Sequence, residues 1–404
     1  MPKKCKVLAR PSPKALFRLK NIWLSDCLNT SSMPQAAKSA AFYHPELDVL
    51  RFGAFVMVFV CHALGAYPGI VSKFLSTASL AGGCGVDLFF CLSAYLITEI
   101  LLRERRAKGS IDIRSFYLRR ILRIWPLYFA FLAFMILVAP TFLRHDSLSR
   151  PQAAMFLLLV GNWAYLLGPM NSVAGILWSV SIEEQFYLTW PLVVKFHARN
   201  IRSICFGLLA TATLYRVFLI SRHLRLNAFW EGTFSRIDAI CVGALIAVCL
   251  DGQMPKPRIW LVLGGLGALL ATVYWGRFFG LRALITYPMV AVCCGAMLTG
   301  TLSENCGLTQ NSVLVRLGRM SYGLYVFHAF SLKLTAQLIY LHRFQYPVRV
   351  ACAGALTVLL ASASYHWLES PFLRLKDRFS YVRSAPVSEV SPLTVRDCPV
   401  IFGA

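Results

Sequence analysis

Charged residues are scarce in this sequence of 404 residues, and acidic residues are scarcer than basic ones. Asp, Glu, Lys and Arg together make up 15% of the chain, against about 25% in soluble domains. Hydrophobic residues make up 57%, which excludes an intrinsically disordered chain because disorder needs low hydrophobicity and high charge. A water-soluble globule would lack the polar residues to cover its surface. The composition therefore predicts a protein that crosses a membrane several times.

Several sequence motifs with a known chemistry are also missing. No G-x-S-x-G elbow, H-E-x-x-H pair, Walker loop or dinucleotide fingerprint occurs, so nothing favours a serine esterase, a zinc protease or a nucleotide-driven pump. The 13 cysteines form no C-x-x-C pair, and most stand singly in apolar runs, where cysteine behaves as a small hydrophobe. We predict neither a bound cofactor nor a metal ion.

The net charge of +23 would suggest nucleic-acid binding in a soluble protein. A membrane protein offers another explanation, because Lys and Arg collect in the loops that stay in the cytoplasm. We therefore predict a lipid bilayer and no nucleic acid as partner. Residues 1–41 are basic and polar, without an apolar stretch of signal-peptide length, which predicts a disordered cytoplasmic tail. Met33 is an alternative start.

Ten apolar stretches come close to the length of about 20 residues that a membrane span needs. They are residues 49–67, 85–102, 121–140, 176–196, 204–220, 237–250, 259–275, 283–302, 320–341 and 350–367. An eleventh stretch, 152–168, is short and interrupted, and the distribution of Lys and Arg fits better if it does not cross. We predict an all-α integral membrane protein of about ten transmembrane helices in one bundle, with 152–168 re-entrant or interfacial.

The same distribution of basic residues predicts that both termini lie in the cytoplasm. The domains expected are the tail at residues 1–41, a membrane domain at 42–373 and a short cytoplasmic tail at 374–404. That last segment is too short for a further soluble module.

Ionisable residues inside the predicted spans are candidates for function, because a charge in a bilayer is costly. His62 lies about 20 Å from the cytoplasmic end of the first span, at 1.5 Å per residue. Glu183 lies near the outer end of a span of opposite direction. At such depths the two could form a general base, with the carboxylate orienting the imidazole. The alternative is a hydrogen bond that only joins two helices.

Other polar side chains cluster in five stretches. Arg120 and Arg123 stand at the mouth of the third span and Arg51 at the mouth of the first, a pattern typical of phosphate binding or, alternatively, of topology and anionic lipid. Asp87 and Ser93 share one span. The remaining candidates follow a helical spacing along two spans: Trp178 and Tyr187 beside Glu183, and Tyr322, Tyr325 and His328. Such a row of polar side chains is typical of the lining of a bundle interior or, alternatively, of hydrogen bonds that only join helices.

Seven stretches of the chain, in order between residues 44 and 374, are similar to signatures of the membrane acyltransferase-3 family. They are LDVLR at 47–51 followed by His62, GVDLFFCLS at 85–93, RRILRIWP at 119–126, WSVSIEEQFY at 178–187, SRID at 235–238 followed by Gly243, SYGLYVFH at 321–328, and ESP at 369–371. Each alone is a weak signal, whereas the ordered set is specific.

The resemblance implies an inner-membrane enzyme that moves an acyl group, usually acetyl, from cytoplasmic acyl-CoA to a hydroxyl of a glycan, a lipid-linked saccharide or another acceptor. It implies that His62 is the catalytic base, assisted by Glu183, and that Arg120 and Arg123 serve the donor. It assigns the pore or acceptor lining to the other motif residues: Asp87, Ser93, Trp178, Tyr187, Arg236, Asp238, Tyr322, Tyr325 and His328. Transfer is expected to be direct, or to be finished by a separate extracytoplasmic partner enzyme. The competing hypothesis is a transporter or flippase without chemistry.

Overall fold

The computed structural model describes residues 43–65, 72–224, 226–253, 255–256, 258–276, 278–302, 312–339 and 346–377. The predicted N-terminal tail, the alternative start at Met33 and most of the predicted C-terminal tail lie outside these residues. Within them, the chain forms helices joined by loops and short 3-10 turns, with an isolated β-bridge between Ser147 and Asn171.

The α-helices are numbered in chain order. They are α1 Pro45–Gly65, α2 Lys73–Gly83, α3 Gly85–Lys108, α4 Ile113–Leu137, α5 Arg150–Leu157, α6 Trp178–His197, α7 Ile201–Ser221, α8 Leu226–Glu231, α9 Thr233–Leu250, α10 Ile259–Trp275, α11 Ala283–Thr301, α12 Val313–Arg319, α13 Ser321–Leu338, α14 Tyr346–Ser364 and α15 Ser370–Asp377. A 3-10 turn, Val173–Leu177, leads into α6, and a π-helical turn, Tyr365–Glu369, joins α14 to α15.

Seven helical segments among the described residues are long and apolar enough to cross a membrane. They are Pro45–Gly65, Lys73–Lys108, Ile113–Thr141, Val173–Ser221, Asn227–Leu250, Ala283–Thr301 and Tyr346–Lys376, and the shorter apolar helix Ile259–Trp275 adds 17 residues. The expectation of an all-α, multi-pass membrane protein is confirmed. Each of the ten predicted stretches is largely helical, but the number that crosses stays a prediction.

Two segments differ from simple spans. Residues 152–168 hold the end of the eight-residue helix α5 and a 3-10 turn, Gly161–Leu167, so they form no helix of membrane length. The helix α2 was not predicted, because with 11 residues it is too short to register as a span. It packs closely on α1, where a Cβ on Gly82 would lie 2.4 Å from the Met57 carbonyl oxygen.

The third predicted span begins eight residues earlier than the hydropathy suggested, and the reason is a local cap. Asp112 accepts hydrogen bonds from the backbone N–H of Ser115 at 3.1 Å and from its hydroxyl at 2.6 Å, which satisfies the free N–H groups of the first turn of α4. These bonds hold the pKa of the Asp112 carboxyl below its usual value. Arg120 and Arg123 therefore lie on a helix, one turn apart on the same face, and not in a loop.

Candidate active site

Two of the cavities formed by the described residues enter the helix bundle. The first, here called the arginine-lined cavity, has a volume of about 430 Å³, and the second, the histidine-lined cavity, has about 830 Å³. The polar part of the arginine-lined cavity comes from Tyr43, Asp48, Arg51, Ser93, Arg120, Arg123, Ser179, Glu183, Tyr187, Arg319, Tyr322, Tyr325 and Arg374, among others. The histidine-lined cavity is formed by His62, His145, Asn171, Ser172, Trp178, Glu231 and Lys333, among others.

The cavities enter from opposite ends of the bundle, as the course of two helices shows. Helix α1 has Arg51 in the arginine-lined cavity and His62 in the other, about 16 Å apart along the helix axis at 1.5 Å per residue. Helix α13 likewise contributes Tyr322 and Tyr325 to the first cavity and Lys333 to the second. Both helices thus run from one cavity to the other.

A network of side chains forms the mouth of the arginine-lined cavity. Asp48 accepts a hydrogen bond from Arg51 at 2.6 Å and another from the Tyr43 hydroxyl at 3.0 Å. Arg319 donates to that same hydroxyl at 2.9 Å. Burial and the nearby Asp48 carboxylate raise the pKa of Tyr43 to about 12, so the phenol stays neutral and can donate. Arg51 is therefore already paired, which sequence reasoning did not indicate.

Deeper in this cavity, two arginines of α4 lack such a partner. Arg123 makes no hydrogen bond or ion pair within the described part of the chain, and the Nε of Arg120 is buried with no acceptor among those same residues. The Arg120 guanidinium carbon lies 5.7 Å from the centre of the Tyr187 ring. Because a guanidinium binds phosphate and carboxylate groups bidentately, this pair can hold an anionic ligand.

Glu183 lies in the same cavity and is held by two hydroxyl groups. Ser93 of α3 donates to Oε1 at 2.9 Å, and Tyr187, one turn along α6, donates to Oε2 at 3.1 Å. The predicted residues Ser93, Glu183 and Tyr187 are thus brought together. Tyr322 reaches the cavity wall from α13 and donates to the carbonyl oxygen of Ile124 at 3.1 Å.

A hydroxyl pair separates the two cavities. The Tyr325 hydroxyl lies 2.6 Å from the Ser179 hydroxyl and 2.9 Å from the Ile176 carbonyl oxygen, and both side chains are buried. Since Ile176 lines the histidine-lined cavity and Ser179 lines the other, the wall here is one turn of chain thick. Sequence reasoning missed Ser179, although its place directly after Trp178 in a polar stretch was a signal.

His62 is exposed to the histidine-lined cavity, and its neighbour is a second histidine. The Nε2 atom of His328 lies 3.3 Å from the Nδ1 atom of His62, and the ring centres are 4.9 Å apart. The expected contact between His62 and Glu183 does not form, because the hydrogen bonds of Glu183 go to hydroxyl groups on the other side of the wall. The two side chains face different cavities. Their catalytic roles stay predictions.

Three residues predicted to line the pore are buried in ion pairs and line neither of the two cavities, and their place in a pore stays a prediction. Asp87 accepts a hydrogen bond of 2.7 Å from Arg236, and Asp238 pairs with Arg216. All four are at most 3% exposed. Charges inside a bilayer require such partners, so these pairs hold α3, α7 and α9 together. Arg236 also packs 5.5 Å from the Trp178 ring, which places the pairs directly behind the histidine-lined cavity.

The described residues contain no group of three or more His, Cys, Asp or Glu side chains that could hold a metal ion. The polar groups of both cavities are instead guanidinium, imidazole, hydroxyl and carboxyl groups. Such groups can bind anions and transfer protons.

A family model described as an acyltransferase domain, acyltransferase-3, matches residues 44–366. This match covers the histidine-lined cavity, the greater part of the arginine-lined cavity and most of the chain. The chain belongs to the acyltransferase-3 family. The resemblance seen in seven short stretches is thereby confirmed, and the match holds over residues 44–366.

The curated relatives of the chain include proteins of Staphylococcus aureus. The O-acetyltransferase OatA of strain NCTC 8325 is 30% identical over 380 residues, which is 81% of this chain and 57% of OatA. A protein of strain MRSA252, whose name gives O-acetyltransferase as a provisional activity, is 27% identical over 84% of this chain and 60% of its own length. The chain thus spans less than two thirds of the length of these relatives. No solved structure matches the chain.

Proposed function

We propose that this acyltransferase-3 protein is a membrane-bound O-acyltransferase, which moves an acetyl group from acyl-CoA to a hydroxyl of a glycan, a lipid-linked saccharide or another cell-envelope acceptor. The observation that carries the proposal is the back-to-back arrangement of a guanidinium-lined and an imidazole-lined cavity with a wall one turn thick. A donor with several phosphates and an uncharged hydroxyl acceptor need these two different environments.

The donor is assigned to the arginine-lined cavity. Arg120 and Arg123 are without carboxylate partners among the described residues, and Arg51 stands at the mouth, so the diphosphate of CoA has cations to bind. The long pantetheine arm then runs along the cavity, past Glu183 and its hydroxyl partners, towards the wall. We assign Glu183 to this donor side, where its carboxyl contacts the arm and not the imidazole.

The acceptor is assigned to the histidine-lined cavity. The acceptor oxygen attacks the thioester carbonyl carbon while His62 accepts the hydroxyl proton. The new carbon–oxygen bond forms, the carbon–sulfur bond breaks, and the leaving sulfur takes the proton back from the imidazolium as free CoA thiol. Trp178 supplies an aromatic face beside His62, and Glu231 and Asn171 supply polar groups for a hydroxylated acceptor.

We assign the protein to the inner membrane as a bundle of about ten spans, with both termini and the arginine-lined cavity on the cytoplasmic side. The excess of Lys and Arg in the predicted cytoplasmic segments supports this orientation. Acyl-CoA is then available at one end and the envelope acceptor at the other. For acceptors that cannot enter the cavity, a separate extracytoplasmic partner enzyme would finish the transfer of the acyl group.

The test is transfer of label from radioactive acetyl-CoA in membranes that hold the full chain. Label should enter a glycan or lipid fraction with the parent protein and fall by about 100-fold or more with His62→Ala, the contribution of a general base. His197→Ala, an exposed histidine at the end of α6, is the matched control and should keep parent activity. If the membranes show neither His62-dependent label nor binding of CoA, the result contradicts acyl transfer and favours a transporter.

A further inference from the structure

The rings of His62 and His328 form a chain of contacts that ends on two backbone carbonyl groups. His328 Nδ1 lies 2.5 Å from the carbonyl oxygen of Tyr325, and His62 Nδ1 lies 3.0 Å from that of Val58. Between the rings, His328 Nε2 lies 3.3 Å from His62 Nδ1. His62 Nε2 has no hydrogen-bond partner among the described residues and belongs to a side chain exposed to the histidine-lined cavity.

These contacts fix where the protons lie, because a carbonyl oxygen can only accept. The Tyr325 carbonyl requires the proton of His328 on Nδ1, which leaves Nε2 of that ring as an acceptor. The Val58 carbonyl likewise requires the proton of His62 on Nδ1, and this proton is shared with the bare Nε2 of His328. The opposite tautomer of either ring would set a nitrogen lone pair against a carbonyl oxygen.

We infer that His328 is the positioning residue of this site, which holds His62 in the tautomer that carries its proton on Nδ1 and presents a bare Nε2 to the acceptor. The inference deepens the proposed function and rests on it for the role of that Nε2 atom. A histidine base works only from its unprotonated nitrogen, so its second nitrogen needs an acceptor that keeps the ring in place. Sequence reasoning gave this task to Glu183, but the structure gives the contact to His328.

His328 suits this task because it is itself immobile. Its side chain is fully buried, and the Phe55 and Tyr325 rings lie 6.3 Å and 5.4 Å from its ring centre. No carboxylate approaches either ring within hydrogen-bonding distance among the described residues, so the pair has no anion to hold a second proton. His328 is thus a neutral acceptor whose ring cannot rotate. It fixes the orientation of the His62 ring and leaves the proton on His62 Nδ1.

Three substitutions at residue 328 separate positioning from packing. The amide of His328→Gln reaches the place of Nε2 and can still accept from His62, whereas the amide of His328→Asn reaches only the place of Nδ1, near the Tyr325 carbonyl. His328→Phe keeps the volume and loses both groups. We expect Asn and Phe to lower kcat by about 10-fold to 100-fold, the usual effect of removing the partner that orients a functional histidine. Gln should recover most of the loss, and KM for acetyl-CoA should stay near the parent value in all three.

A second measurement does not depend on activity. The nitrogen-15 spectrum of the histidine-labelled full chain, with the His62 signals identified by their loss in His62→Ala, should show a protonated Nδ1 and a bare Nε2. A protonated Nε2 in the parent overturns the inference, as does parent kcat in His328→Phe or equal losses in Gln and Asn. If the spectrum is as expected but the parent transfers no acetyl group, the proposed function fails and the assignment of the protons stands.

Discussion

Tyr325 and Ser179 share a hydrogen bond of 2.6 Å between their hydroxyl oxygens at the wall between the arginine-lined and histidine-lined cavities. The Ile176 carbonyl oxygen lies within hydrogen-bonding distance of both hydroxyl groups, 2.9 Å from that of Tyr325 and 3.4 Å from that of Ser179, so either hydroxyl can be the donor within the pair. The wall is therefore held by two consecutive hydrogen bonds and not by packing alone.

The first prediction follows from this pair. Tyr325→Phe removes the hydrogen bonds of the Tyr325 hydroxyl inside a buried site, and we expect a loss of about 1–3 kcal/mol in the free energy of unfolding. Thermal unfolding in detergent measures the change. Tyr117→Phe is the matched control, because its hydroxyl donates to the Leu188 carbonyl at 2.7 Å in an exposed position where water can replace it. Equal shifts of the unfolding temperature in the two variants would show that the Tyr325 hydroxyl does not stabilise the wall.

The second prediction concerns the arginines without carboxylate partners. Arg123→Ala should raise KM for acetyl-CoA by about 10-fold to 100-fold. This is the effect expected from the loss of a charge-assisted hydrogen bond, which contributes about 1.5–3 kcal/mol. Arg123→Lys keeps the charge but loses the bidentate geometry, so a smaller rise is expected. Steady-state kinetics in membranes measures both, and Arg114→Ala, an exposed arginine on the same helix outside the cavity, is the control. An unchanged KM in Arg123→Ala would remove the donor from this cavity.

The third prediction tests the buried pair of Arg216 and Asp238. Arg216→Met leaves the Asp238 carboxylate without a counter-charge inside the bundle, which should cost about 3–5 kcal/mol. The double variant Arg216→Met with Asp238→Asn removes both charges and should recover part of that loss. The yield of monodisperse protein and its unfolding temperature report the order of stability. A double variant less stable than Arg216→Met would contradict the pairing.

The fourth prediction concerns the contact between α12 and α1 near the mouth of the arginine-lined cavity. A Cβ on Gly318 would lie 1.9 Å from the Asp48 carbonyl oxygen, so Gly318→Ala must push the two helices apart. We expect a clear loss of stability together with a higher KM for acetyl-CoA, because Asp48 holds Arg51. Gly354→Ala meets only the Phe59 ring, at 3.6 Å, and should be neutral or slightly stabilising in its helix. Comparable behaviour of the two variants would be evidence against a tight contact.

Apolar length predicted an all-α membrane protein correctly, because the bilayer imposes both length and hydrophobicity on a helix, but the number of ten spans stays a prediction. The same reasoning could not find α2, whose 11 residues are set by contacts with α1, nor the early start of α4, which depends on the Asp112 cap. A membrane span can be predicted from composition, whereas a short helix that depends on contacts with neighbouring helices cannot.

The sequence indicated which polar side chains lie inside the spans, but it did not indicate how these side chains pair. Position along a span gives the depth of a side chain, and from depth alone His62 and Glu183 appeared to be partners. Depth does not give the direction around the helix axis, and in the structure His62 meets His328 while Glu183 turns to Ser93. Arg216 shows the same limit, since an arginine inside a span demands a partner but the sequence does not say which acid supplies it.

The Arg216–Asp238 pair has a consequence for biosynthesis. Arg216 leaves the ribosome 22 residues before Asp238, so helix α7 is complete while its neutralising partner is still unmade. A lone arginine in lipid is costly, which disfavours lateral release of α7 alone from the insertion channel. We therefore expect α7 and α9 to enter the bilayer together as a hairpin, and a chain truncated between them to be retained at the translocon or degraded.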